Sequence, residues 1–550
     1  MARVVRTPAA VLLAAAIFVS VLGASGDGPV TTAVKAGDPA AVRALLASGA
    51  PVNERGGDGS TPLLWAAYHA DIDTARVLVG AGALLDQAND YGITPLLQAS
   101  RTGDAAMVDL LLQAGADPAR AHPEGETPLM AAARAGSVPA LRLLLARDAD
   151  PNATDSFQNA TALMWASAEG HLEVVDLLLE AGADPNRQAR VTVLTERHNA
   201  DFPTGGFTAL MWAARNGDEG TVRRLASGGA DLTLTNGDGA SATMIALYND
   251  RFDVAATLID LGADANDGSL PVAVEMRTAT TDQFAFDGSR LRPDYPNERT
   301  ALDLVQLLLE RGADPNKPFT GQLHSSSMPN TDRFNNTAFY RAAITADVEA
   351  LTLLIAHGAD LEQTPATPPA PAVVSGDEPP AGRGRGNPNE GRTAAMVAMT
   401  GGRAPGMTGG PAYIREGAAP YREPGSREPG EAFALLLASG ANPNAKAPDG
   451  STLLHQVARS GNLEMIRALA VAKVDFLQPN GDGLTALEVV EAAPPAGAAP
   501  GRRGGPPPSG PGRGGSRGAS RREVAAVLRE LMGLPPAPPA EAPADGAEEL

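Results

Sequence analysis

The chain has 550 residues and no cysteine, and its 12 Phe, 3 Trp and 7 Tyr are few beside 60 Gly and 46 Pro. At 43% hydrophobic it is too apolar to be wholly disordered and too poor in aromatics for an ordinary mixed core, so any core must be built from small aliphatics. A formal charge of −20 excludes broad binding to nucleic acid phosphates or an anionic membrane surface, while leaving local basic patches able to act.

Arg3 and Arg6 precede an apolar run from Ala9 to Leu22, followed by Gly23, Ala24, Ser25 and Gly26. That is the order of a secretory signal peptide, placed here at 1–26. The run falls short of the ~20 residues a spanning helix needs, so cleavage is expected rather than retention as an anchor. Leu22 spoils the simplest Ala-x-Ala site and leaves the cleaved bond open. With no lipid-acceptor cysteine and no second long apolar segment, the mature protein is expected to be periplasmic or secreted and free of the membrane. Export without disulfides means that noncovalent burial alone holds the fold. Lysine is rare (Lys35, Lys317, Lys446 and Lys473) while Ala, Gly, Arg and Pro abound, a bias that reads as a GC-rich bacterial source.

Thr61-Pro62-Leu63-Leu64-Trp65-Ala66-Ala67 returns as Thr94-Pro95-Leu96-Leu97 and as Thr127-Pro128-Leu129-Met130, each 33 residues after the last. Further copies begin at Thr161, Thr208, Ser241, Thr337, Thr393, Thr452 and Thr485, with a degenerate copy near Ser269 and a truncated one from Gly28 to Asn53. Threonine caps a first helix through its hydroxyl, and proline beside it loses nothing because an N1 amide has no partner within the helix. Gly103, Gly136, Gly170 and Gly217 stand where a left-handed residue ends that helix. In the second helix Leu172, Val175, Leu178 and Leu179 share one face at helical spacing, and Gly182-Ala183-Asp184-Pro185-Asn186 stops it and turns the chain.

These phrases resemble the ankyrin repeat: β-turn, Thr-Pro-Leu-His, paired alanines, turn, leucine-rich second helix and Gly-Ala-Asp. Only Thr452-Leu453-Leu454-His455 keeps the histidine; in most other copies Leu or Met takes its place, and the inter-unit hydrogen bond it would make is lost. The resemblance implies an all-α solenoid of about twelve helix-turn-helix units with projecting β-turns over roughly 28 to 532. Each unit is unable to bury its apolar faces alone and leans on its neighbours.

A regular stack is expected over 27–267 and an interrupted one over 268–491. Insertions at about 187–207, 317–336 and 362–392 enlarge turns; those at about 277–300, 401–430 and 492–520 fall between the two helices of a unit. The Pro/Gly/Arg-rich inserts at 362–392 and 492–520 and the tail 533–550 are expected to be disordered, because they offer too little to bury. Arg521 to Met532 is expected to supply the last helix. The Arg-Gly runs Gly382 to Gly386 and Arg502 to Arg522 read as solvated linker, with contact to an acidic polymer as the alternative.

No catalytic constellation emerges. Gly514-Gly515-Ser516-Arg517-Gly518 has the letters of a nucleophile elbow but sits in a Pro/Gly linker. No Walker loop precedes any lysine. His69, His122, His171, His198, His324, His357 and His455 are scattered without metal-ligand spacing, so no metal or cofactor is expected. Asn236-Gly237-Asp238-Gly239 and Asn480-Gly481-Asp482-Gly483 are in phase with the repeat and read as turns rather than calcium loops. Trp65, Trp165 and Trp212 share one slot of the first helix between core residues and read as packing rather than as a binding row.

Stacked helices offer an extended face and no water-excluding pocket, so the chain reads as a non-enzymatic, monomeric scaffold that binds another protein. Resemblance to the ankyrin family implies contact through turn tips and the exposed ends of first helices, here Tyr68, Tyr91, Arg101, Arg134, Phe157, Phe207 and Arg215. The arginines equally suit helix C-termini, and the aromatics could simply cover their own turns. An inhibitor or accessory subunit of another exported enzyme, and a cell-envelope spacer, are the alternatives.

Overall fold

The computed structural model describes residues 26–191, 205–277, 296–318, 337–365, 391–399, 428–492 and 519–536. The signal segment, most of each insertion, Ser516, His198 and His324, and nearly all of the tail lie outside the described residues. Among the described residues the chain forms helices and no strand, with only isolated β-bridges at turns, such as Val191 to Gly205.

Contacts divide the chain into two stacks, Met1–Asp264 and Ala265–Leu550. In the first, helices pair as α1 (Pro29–Lys35) with α2 (Pro39–Ala47), α3 (Pro62–Tyr68) with α4 (Ile72–Gly80), and α5 (Pro95–Thr102) with α6 (Ala105–Ala114). The pairs α7 (Pro128–Arg134) and α8 (Val138–Leu145), α9 (Ala162–Glu169) and α10 (Leu172–Glu180), α11 (Ala209–Asn216) and α12 (Glu219–Ser227), and α13 (Ala242–Tyr248) and α14 (Phe252–Asp260) complete it. The second stack contains α15 (Ser269–Met276) with α16 (Ala301–Glu310), α17 (Ala338–Ile344) with α18 (Val348–Ala356), and α19 (Ala394–Ala398) with α20 (Pro429–Ala438). It ends with α21 (Leu453–Ser460) paired to α22 (Leu463–Val471) and α23 (Ala486–Glu491) to α24 (Arg521–Leu531). Within each stack, first helices pack on first helices of adjacent pairs and second on second. The two helices of the split pairs, α15 with α16, α19 with α20 and α23 with α24, pack on one another despite the chain between them.

The capping logic holds in detail. Oγ1 of Thr61, Thr94, Thr127 and Thr161 accepts the N–H three residues on at 3.2 Å in each case. Asp71, Asp104, Asp218 and Asp347 cap second helices in the same way. The first pair lacks a capping side chain at Gly28, and Glu54 supplies the acceptor instead, taking the Thr31 N–H at 2.6 Å. Leu63, Leu96, Leu129, Leu163 and Leu210 and the alanines beside them are buried, so the core is the small-aliphatic one that the composition requires.

Polar rungs tie adjacent pairs along the other edge. The Asn152 side chain donates to the Gly182 carbonyl (2.9 Å) and accepts from the Asp184 N–H (2.8 Å). Asn186 does the same to Gly229 and Asp231, and Asn316 to Gly358 and Asp360. A buried pair adds to this in the second stack, where Arg277 Nε lies 2.6 Å from Asp347 Oδ2 with side-chain exposures of 1% and 0%.

Ala70 occupies the turn position that Gly103 fills one repeat later, at φ 54° against the glycine's 70°. An alanine held in the left-handed region is strained by roughly 1–2 kcal/mol. Ala70→Gly is therefore expected to stabilise the protein by about 1 kcal/mol, read as a higher denaturant midpoint.

His455 is fully buried, with Nδ1 2.7 Å from Thr452 Oγ1 and Nε2 2.8 Å from the Leu484 carbonyl of the next pair. Burial pushes its pKa below the ordinary histidine value, only partly opposed by the bond to Leu484. Because the folded pKa lies below the unfolded one, this contribution is intact above about pH 6.5 and fades as pH falls below it. The Tm difference between the native chain and His455→Gln should therefore shrink on moving from about pH 7.5 to about pH 5.5.

Candidate functional site

In the first stack the first-helix C-termini and the turn tips meet in a recess of about 740 Å³. Its lining includes Arg101 from α5, Arg134 from α7, Trp165 and Glu169 from α9, and Glu124, Glu126, Asp155 and Phe157 from the turns. Two of these groups come from register arithmetic between neighbours. Arg101, seven residues past its capping threonine, donates through Nε to Glu126 Oε2 at 3.0 Å, and Glu126 immediately precedes the next capping threonine. Arg134, in the same register as Arg101, sits with Nε 3.7 Å from Glu169 and its guanidinium 4.7 Å from the centre of the Trp165 ring.

The tips themselves are joined through backbone. The Ser156 N–H donates to the Glu124 carbonyl at 2.8 Å, and His122 Nε2 lies 2.7 Å from the Tyr91 carbonyl. Asp155 Oδ1 accepts the N–H groups of Phe157 (3.1 Å) and Gln158 (2.7 Å), which fixes the tip and holds the Phe157 ring 72% exposed. An aromatic presented by a tied turn is a preorganised contact, losing little freedom on binding.

Of the seven residues singled out in the sequence, Arg101, Arg134 and Phe157 converge in this recess. Tyr68 and Tyr91 are exposed but are not part of its lining; Tyr68 packs edge-on against Trp65 at 5.5 Å and against His69 at 5.2 Å. Arg215 lies over Trp212 at 5.4 Å, further along the stack. Phe207 is corrected: it is 7% exposed and packs 4.9 Å from Trp212, because it precedes the Thr208 cap in the register where Ser60, Ala160 and Ala240 are also buried. It supports the helix and presents no contact surface.

The tryptophan slot also differs from the packing expected of it. Trp65, Trp165 and Trp212 are half-buried, and each carries a cation of its own chain over the ring, Lys35 at 4.0 Å on Trp65 and the two arginines on the others. Trp65 Nε1 is buried and meets no hydrogen-bond acceptor among the described residues. Cation–π contacts of this kind contribute about 0.5–1 kcal/mol at exposed sites. The sequence held the signal in the arginine seven residues past the cap, three past a tryptophan in α11 and one repeat before a tryptophan in α9.

Among the described residues no group of three or more His, Cys, Asp or Glu is arranged to hold a metal ion, and no helix is long and apolar enough to cross a membrane. The Asn236 and Asn480 side-chain oxygens accept N–H groups of their own loops, Asp238 and Ala240 in one and Asp482 and Leu484 in the other, as turn residues do.

A family model described as ankyrin repeats matches residues 30–122, 117–189 and 190–269. The stacked helix-turn-helix pairs and their Thr-Pro-Leu caps make the fold an ankyrin-repeat solenoid. Comparison with curated proteins finds no significant match. Similar solved structures include the human ASB11 ankyrin repeat domain, 25% identical with a TM-score of 0.37, the match covering 43% of this chain and 98% of that one. The ankyrin repeat domain of Bcl-3, described as a unique member of the IkappaB protein family, is 27% identical with a TM-score of 0.36, covering 42% and 99%.

Proposed function

We propose that this chain is an exported, non-enzymatic scaffold whose ankyrin repeats bind a partner protein through the face of turn tips and first-helix ends, centred on Arg101, Arg134, Phe157 and Trp165. The observation that carries this reading is the recess itself, where aromatic and arginine side chains from three successive repeats gather around one opening. Aromatic and arginine groups of this kind dominate the energy of protein interfaces. The export signal, a bacterial source and a monomeric state belong to the same proposal, resting on the leader-like order of 1–26 and the composition. An inhibitor or accessory subunit would use the same face.

The test is combined charge reversal, Arg101→Glu, Arg134→Glu and Arg215→Glu, in the full chain. Exposed ion pairs contribute only about 0–1 kcal/mol, so helicity and melting should change little while capture of the partner is lost. Retained capture removes the site.

A further inference from the structure

We propose that the buried charges where α15 meets α17 and α18 form a register key, which picks the correct neighbour from a row of near-identical repeats. Two ion pairs cross this junction. Arg277, just past α15, lies with Nε 2.6 Å and a terminal nitrogen 3.0 Å from the two carboxylate oxygens of Asp347, and Arg341 of α17 donates to Glu275 of α15. Side-chain exposures of 1% and 0% in the first pair and of 6% and 13% in the second leave little water to stand in for a missing counter-charge.

The two pairs discriminate only together. Asp347 stands ten residues past its capping Thr337, a place that Asp71, Asp104 and Asp218 hold in the first stack, so Arg277 alone could be satisfied by several repeats. Arg341 stands four residues past the same threonine, where other repeats carry Trp65, Gln98, Ala131, Ile245, Val397 or Gln456 and none carries a charge. The repeat of α17 and α18 therefore offers a cation to Glu275 and an anion to Arg277 at once, and no other repeat does. A different first helix seated on α15 would strand Glu275, and leaving one member of such a pair without the other costs far more than the pair itself contributes. α15 departs from the repeat to carry its half of the key. Arg277 falls nine residues past the Gly268 cap, where Gly103, Gly136 and Gly170 stand, and Glu275 falls where Arg101 and Arg134 stand.

This junction is also the one with the longest connections on both sides of a helix. Residues 277–300 separate α15 from α16 and residues 311–337 separate α16 from α17, whereas Gly103 and Asp104 alone join α5 to α6. A longer connection constrains its ends less, and misassembly and swapping are characteristic failures of repeat arrays.

The experiment refolds the full chain from denaturant and follows hydrogen exchange of the 269–276 and 338–344 peptides by mass spectrometry, with sedimentation to detect swapped oligomers. The native chain should give one protected population. An uncharged variant combines Glu275→Leu, Arg277→Met and Arg341→Met with Asp347→Asn, which keeps an acceptor to cap α18. Its denaturant midpoint should be no lower than that of the native chain. It should nevertheless add a less protected or swapped population of at least about 10% of the molecules. Arg341→Glu should add such a population too, and Glu275→Arg with Arg341→Glu should return to a single protected one. Two populations in the native chain, or one in either the uncharged variant or Arg341→Glu, overturns the assignment, as does a charge swap that keeps the mixture. An uncharged variant that fails to fold, or unfolds at a markedly lower midpoint, would show that the pairs hold the stack up rather than choose its register, and would overturn it equally.

Discussion

Asp347→Ala is expected to destabilise the second stack by about 3–5 kcal/mol, among the largest losses available to a single substitution in this chain. Asp347 is fully buried and does two things at once: it accepts from Arg277 through Nε at 2.6 Å and through a terminal nitrogen at 3.0 Å, and it caps α18 by accepting the Ala350 N–H at 3.1 Å. Removing it leaves a guanidinium that is 1% exposed without its principal counter-charge, and the desolvation penalty of that charge is no longer offset. Glu349, 3.6 Å away, is too exposed to replace it. Arg277→Met combined with Asp347→Ala should lose far less than Asp347→Ala alone, because no buried charge is then stranded. Chemical denaturation of the three variants followed by circular dichroism gives the comparison, and a double variant no better than Asp347→Ala would show that the cap rather than the charge pair carries the loss.

Phe157→Ala is expected to lower partner affinity by at least about 2 kcal/mol, roughly thirtyfold, while moving stability by no more than about 0.5 kcal/mol. The separation follows from exposure: a residue 72% open to solvent contributes little to the folded core, yet it is held at the mouth of the recess by a turn in which the Ser156 N–H is committed to Glu124 and those of Phe157 and Gln158 to Asp155. Phe207→Ala is the matched control. Its ring is buried against Trp212, so its loss should appear in the melting curve and leave partner affinity within about tenfold once the protein is folded. Binding and unfolding measured on both variants settle which aromatic faces the partner.

The repeat was legible because its signals are local. A capping threonine, an N1 proline and a glycine in the left-handed region are each readable from adjacent residues, and Thr61, Thr94 and Thr127 behave alike for the same local reason. Where the chain departs from that vocabulary it was silent: Ala70, Asp250 and Ala346 adopt the left-handed turn without glycine, held there by the stacking of the helices on either side. The recess was only half legible. Arg101, Arg134 and Phe157 could be nominated one by one, but Glu126 and Glu169 matter through pairs that bridge repeats, so they appear only when one register is laid against the next. Trp165 read as core because its neighbours in sequence are core, whereas its ring lies at the rim beneath Arg134. Phe207 erred in the opposite direction, since its position beside an insertion suggests a tip while the register immediately before a cap is an interior one.

The split pairs bear on how such a chain can lengthen. In α15 with α16, in α19 with α20 and in α23 with α24 the two helices meet although a long stretch of sequence separates them. Closing a flexible connection costs only about 0.6 kcal/mol more for each doubling of its length, less than a single well-buried leucine returns. New sequence can therefore enter between partners that already recognise each other without redesign of either, which makes these junctions natural points for acquiring cargo while the rest of the array stays in register.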